Sequence, residues 1–138
     1  MSAWLLDVNA LLACGWKTHA DHLALFDWLI QLDQWATSPI TESGFIRISM
    51  TTAYQASFEN AQTSLATLRA LKGHRFVTDD VHAALLPTLA SYKETTDAHL
   101  VTLAKRHGLK LATLDKALIT RPWAAEIAEN PLLQDKKT

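Results

Sequence analysis

Short apolar runs that stop at a polar residue alternate along this chain with helix-like segments, and that alternation restricts the fold more than any other feature. Trp4-Leu5-Leu6 is apolar at every position, which suits a strand covered on both faces of a parallel sheet. The run stops at Asp7-Val8-Asn9, and residues 10–14 read as a helix. Between residues 19 and 35, apolar side chains at 23, 25, 26, 28, 29 and 32 fall near helical spacing. Residues 37–40 read as a short strand and a turn, with a helix following over 41–50. A further helix is predicted over 60–72, closed by Gly73 in the C-cap role. Residues 75–77 form a candidate strand, and Asp79-Asp80 are placed to cap a helix over 81–90. Thr95-Thr96-Asp97 opens the most regular helix, with Leu100, Val101, Leu103 and Ala104 on one face and Gly108 as its stop. A last strand covers 109–113, and Asp115 follows it.

Strands alternating with helices imply right-handed crossovers, with helices on both faces of a mainly parallel sheet. The expected architecture is therefore a three-layer α/β/α domain. In such sheets ligands bind beyond the carboxyl ends of the strands, which says where to look for chemistry. At 138 residues the chain fits one domain over 1–138, with 133–138 expected as a flexible tail. A single cysteine leaves no internal disulfide and no cysteine-based zinc cage. No basic start precedes the first apolar run, and no apolar stretch approaches the ~20 residues that span a bilayer. The expectation is a soluble, cytoplasmic protein without a membrane partner. The balance of 13 Lys+Arg against 14 Asp+Glu gives no global pull on nucleic acid, so any such binding must be local.

Four carboxylates stand out by position. Asp7 follows the first strand, Asp115 follows the last, and Glu42 and Asp97 sit where helices begin. Taken singly, each has an ordinary explanation, since an acid in a helix's first turn gains about 0.3–1 kcal/mol from the macrodipole. Taken together at one sheet edge they do not, because carboxylates ~4 Å apart repel by about 4 kcal/mol at an effective dielectric of 20. A cation removes that cost, and hard oxygen donors suit Mg²⁺ or Mn²⁺ over zinc. Such an ion keeps waters that can serve as nucleophile against a phosphodiester. Asn9 is placed to orient Asp7, and Thr113 and Thr96 can act likewise or simply cap. Glu94, Asp79 and Asp80 read as capping or surface acids.

Leu5-Leu6-Asp7-Val8-Asn9, Ile40-Thr41-Glu42, Thr96-Asp97-Ala98-His99-Leu100 and Thr113-Leu114-Asp115 resemble, in order, the four signature segments of PIN-domain ribonucleases. The run from Asp97 to Asp115 is similar to the toxin branch of bacterial toxin–antitoxin pairs of the VapBC type. The resemblance implies that Asp7, Glu42, Asp97 and Asp115 are the acidic quartet that binds Mg²⁺ or Mn²⁺. By the same resemblance, Asn9 matches the small polar residue that supports the first acid, and Thr113 the polar residue just before the last. It further implies hydrolysis of RNA, often one tRNA or one ribosomal RNA loop, leaving a 5′-phosphate. The implied assembly is a homodimer silenced by an antitoxin lying over the acidic groove.

Lys110, Lys116 and Arg121 belong to a basic cluster and are candidates for contacts to the RNA backbone. Leu11, Leu12, Trp16, Leu23 and Leu25 are candidates for a groove that takes the antitoxin or a second copy. Two other functions compete. One is a PIN-like module that binds a partner without catalysis, a reading that the early tryptophans Trp4, Trp16, Trp28 and Trp35 would suit. The other is a Mg²⁺-dependent phosphoryl-transfer domain, against which Asn9 stands where a second acid is expected. His19 and His22 share a helix face but lack a third ligand for zinc. Scattered glycines leave no phosphate-binding loop.

Overall fold

The computed structural model describes residues 3–133, and five strands within them form one parallel sheet. The strands are β1 (Trp4–Leu6), β2 (Trp35–Thr37), β3 (His74–Phe76), β4 (Lys110–Ala112) and β5 (Ala128–Glu129), in the spatial order β3-β2-β1-β4-β5. The helices are α1 (Val8–Gly15), α2 (His22–Ile30), α3 (Pro39–Ser49), α4 (Phe58–Arg69), α5 (Thr95–Arg106) and α6 (Lys116–Ile119). All but the first residue of the tail expected over 133–138 lies outside the described residues.

Strand β1 lies at the centre, with Leu5 opposite Ala36 on one side and Leu111 on the other. Side-chain alternation then divides the core in two. Trp4, Leu6, Trp35 and Ala112 pack with Leu11, Leu12, Leu25, Leu29, Phe45 and Leu68 from α1 to α4. Leu5, Ala36 and Leu111 pack with Leu100, Leu103 and Ala104 of α5 and Leu118 of α6. Both faces are covered, so β1 has no polar position, as the three-layer expectation requires. No helix among the described residues is long and apolar enough to cross a membrane.

Several local expectations are corrected. The apolar periodicity of 19–35 does not run as one helix: α2 stops at Ile30 and Trp35 opens β2. Trp35 is 1% exposed, and its indole N–H donates to the Lys72 carbonyl at 3.1 Å, so strand burial overrides the helical spacing there. Pro39 is not a turn residue but the start of α3, where its missing N–H costs nothing. Ser38 and Thr41 complete a capping box around it. No helix spans 81–90; a single 3₁₀ turn covers Ala83–Leu85, and Pro87 lacks the N–H needed to continue it. Strand β5 is two residues long and has no alternation to read. The candidate partner groove also fails in this fold. Leu11, Leu12 and Leu25 are fully buried in the core, and the Trp16 indole donates to Ser49 Oγ at 2.8 Å. Of that set only Leu23 is open to solvent, at 83% exposure.

The join between α1 and α3 depends on a missing side chain. A Cβ at Gly44 would stand 2.6 Å from Val8 Cγ2, so α3 can lie this close to the start of α1 only with glycine there. Gly44→Ala should lower stability by about 1–3 kcal/mol, the usual cost of overpacking. Adding Val8→Ala should recover part of that loss, and denaturant unfolding of the two single variants and the double variant checks it.

Candidate active site: an acidic cleft at the carboxyl edge of the sheet

Asp7 leaves the end of β1 and caps α1. Its Oδ1 accepts from the Ala10 N–H at 2.8 Å, and its own N–H donates to the Ala112 carbonyl at 3.0 Å. The cap places the carboxylate at the carboxyl edge of the central strand, where it is only 5% exposed. Thr113 follows β4 and is wholly buried. Its hydroxyl hydrogen-bonds the Asp7 carboxylate and accepts from the Asp115 N–H at 3.0 Å, linking two acids on neighbouring strands. Asp115 in turn caps α6, accepting from the N–H groups of Ala117 and Leu118. Asp97 sits in the first turn of α5.

Asp7, Asp97 and Asp115 line one cleft of about 230 Å³, together with Asn9, Thr96 and Arg47. Burial pushes the Asp7 carboxyl from 3.8 to about 6. The Thr113 hydroxyl and the Ala10 N–H oppose that rise, while the negative charges of Asp97 and Asp115 add to it. Asp97 is raised as well, by burial first, then by Asp115 and Glu94, with Arg121 pulling it down. The three acids are therefore electrostatically coupled, as the sequence positions suggested.

Glu42 stands apart from that cleft. Its Oε2 accepts from the Thr37 hydroxyl at 2.5 Å, and its Oε1 pairs with Arg69 at 3.2 Å. Because Thr37 gives its proton to Glu42, the His74 Nε2–H is the donor in the 2.8 Å bond between His74 and the Thr37 oxygen. This network borders a second cleft of about 680 Å³ between α3 and α4. The structure thus gathers three of the four expected acids and holds the fourth one strand away.

Among the basic candidates, Arg121 pairs at 2.9 Å with Glu94, which also accepts from the Ala90 N–H. Glu94 is 6% exposed, so its reading as a surface acid is corrected. Asp79 and Asp80 anchor the 78–82 segment onto α5 through His99 and Arg106. Lys116 opens α6 beside Asp115 and is exposed. Lys110 starts β4 opposite Trp4, at the end of the sheet away from the acids, and pairs with Glu129 at 2.5 Å. That placement takes Lys110 out of the expected backbone footprint. Arg47, in the last turn of α3, was not singled out from the sequence, because no pattern distinguishes it from an ordinary exposed arginine.

The donor set fits a hard divalent cation. Among the described residues no three His, Cys, Asp or Glu side chains form a ready-made cage. Mg²⁺ asks for less, since one or two carboxylates hold it while it keeps several waters. The charges of Asp97 and Asp115 raise the proton affinity of Asp7, and Asp115 raises that of Asp97, a repulsion that such an ion relieves.

The PIN domain profile matches residues 4–122, and the chain belongs to that family. Ribonuclease VapC38 of Mycobacterium tuberculosis is 42% identical over 123 residues, spanning 84% of this chain and 87% of the relative. Ribonuclease VapC39 of the same species is 41% identical over 124 residues, and ribonuclease VapC29 is 32% identical over 117. Within the PIN domains the chain groups with these VapC ribonucleases. A crystal structure of VapBC2 from Rickettsia felis, bound to a DNA fragment from its promoter, superposes with a TM-score of 0.61. It covers 92% of this chain and 97% of that one at 14% identity, a likeness of fold.

The buried acid has a consequence for pH. A carboxyl at about 6 in the folded chain and 3.8 in the unfolded one contributes stability that is complete below 3.8. That contribution is lost as pH rises through about 6. In chelator, Asp7→Asn should therefore gain stability relative to wild type across that window. The difference should level off above it, approaching about 3 kcal/mol. Urea unfolding of both proteins at a series of pH values checks this.

Proposed function

We propose that the chain is a metal-dependent endoribonuclease, the toxin of a toxin–antitoxin pair, that cuts RNA of the translation machinery, a tRNA or an rRNA. The observation that carries this reading is the convergence of Asp7, Asp97 and Asp115 on one cleft, with Asp7 pushed up to about 6. Asp7, Asp97 and Asp115 would hold Mg²⁺ or Mn²⁺. Glu42, held by Thr37 and Arg69, would have to give up those bonds to join them. The bound cation supplies charge neutralisation at the phosphate and lowers the pKa of water nearby.

The chain's own residues do the rest. Thr113 fixes the Asp7 carboxylate and, through the Asp115 N–H, the loop of its neighbour. Asn9 stands exposed at the rim, where its amide can orient Asp7 or solvent. Arg121, steadied by Glu94, offsets negative charge at Asp97. Lys116, exposed beside Asp115, is the cation proposed to meet the RNA backbone, while Arg121 is engaged by Glu94. The partners are an antitoxin that covers the cleft and a second copy of the chain. The VapBC pairing named for the Rickettsia felis structure and the VapC names of the relatives support the first.

The test is incubation of purified, antitoxin-free protein with total bacterial RNA in Mg²⁺, Mn²⁺ or chelator, beside Asp97→Asn. Discrete fragments from wild type with metal alone support the reading, and their mapped ends name the target. Absence of cleavage by protein that binds metal would favour a binding module. A thermal measurement runs alongside. Without metal Asp97→Asn should melt higher than wild type, because one repelling charge is gone, and it should gain less from added Mg²⁺. Equal metal-induced shifts would remove Asp97 from the ligand set.

A further inference from the structure

We propose that Arg47 grips the RNA backbone at the acidic cleft, taking a phosphate next to the scissile one. The proposal rests on the ribonuclease reading and adds the contact that seats the substrate. Arg47 lines the same cleft as Asp7, Asp97 and Asp115 and is exposed. Of the other four arginines, three are committed, Arg69 to Glu42, Arg106 to Asp80 and Arg121 to Glu94, and Arg75, in β3, does not line this cleft. Arg47 makes no ion pair within 4.0 Å among the described residues, although three acids share its cleft. Its five N–H donors are therefore available in a fork that matches a phosphate.

The backbone explains how Arg47 comes to stand there. Gly44 lets α3 lie against Val8, the residue after Asp7, and Arg47 is three positions further along the same helix face. Arg121 acts on Asp97 through its charge but is held by Glu94 and does not line the cleft, which leaves Arg47 as the guanidinium in the lining. A polyanion entering an acidic cleft needs fixed positive charge at the rim, where Coulomb repulsion would otherwise turn it away. Arg47 supplies it on the α3 side. Because it stands clear of the carboxylates, the phosphate it meets flanks the reacting one. Its grip is the same in the ground state and in the transition state, so it acts on KM and not on kcat.

The experiment compares wild type, Arg47→Ala and Arg47→Lys. Each is titrated in chelator with a fluorescein-labelled single-stranded RNA oligonucleotide over a range of salt, and each is assayed with metal for cleavage. Arg47→Ala should bind roughly tenfold more weakly. Its log-affinity against log-salt slope should be shallower by about one, with KM raised and kcat kept. Arg47→Lys, which keeps the charge and loses the fork, should fall between the two. Unchanged affinity and slope in Arg47→Ala, beside a wild type that binds and cuts RNA, overturn the proposal alone. A shift only in the Mg²⁺ concentration required overturns it too, since Arg47 would then be tuning the acids. A wild type that neither binds nor cuts RNA overturns the ribonuclease reading along with it.

Discussion

The Asp7 carboxylate, nearly buried at the end of the central strand, is the constraint around which the rest of this molecule is arranged. Its N–H closes the pairing of β1 with β4, its Oδ1 caps α1, and its other contacts reach Thr113. Sheet, helix and site therefore meet at one residue. Burying an acid there is unfavourable unless it keeps its proton or finds a cation, and the rise toward about 6 measures that pressure. The site's chemistry and its tension come from the same placement.

Polarity in the fold is distributed to suit that placement. The central strands β1 and β2 are buried at every position because helices cover both faces, which leaves the carboxyl edge as the place for charge to gather. Caps do much of the positioning: Asp7 begins α1, Ser38 begins α3 and Asp115 begins α6. A capping role and a chemical role are not alternatives at Asp7 and Asp115. One oxygen can satisfy helix N–H groups while the other faces the cleft.

A second network lies one strand away, with Thr37, Glu42, Arg69 and His74 joined by hydrogen bonds and an ion pair. The residue matching the second acid of the family pattern is thereby tied to the α4 side of the sheet. Burial and the neighbouring Arg69 charge hold the His74 pKa down, with Glu42 opposing them. The Glu42 carboxylate is held by the Thr37 hydroxyl on one oxygen and by Arg69 on the other, which keeps it apart from the acidic cleft.

Much was legible in the order of residues. The apolar triplet ending at Asp7 and the alternating run that ends at Thr113 announce strands of a parallel sheet, and the crossover rule then puts Asp7 and Asp115 on one edge. Asp97 was readable as a first-turn acid because α5 has the clearest periodicity in the chain. What the order of residues could not tell was whether 19–35 is one helix, since Trp35 satisfies helical spacing and strand burial equally until β3 arrives to pair with it. Leu11, Leu12 and Leu25 likewise read as a possible surface until α2 and α3 close over them. The sequence by itself determined the layered α/β architecture and that Asp7 and Asp115 follow strands at one edge, because periodicity and strand ends are local. Only the tertiary structure decided that Glu42 turns to Arg69, that Arg121 is bound to Glu94 and that Arg47 stands over the cleft. Those outcomes depend on which side chains from distant segments come within a few ångströms, and no local pattern carries that information.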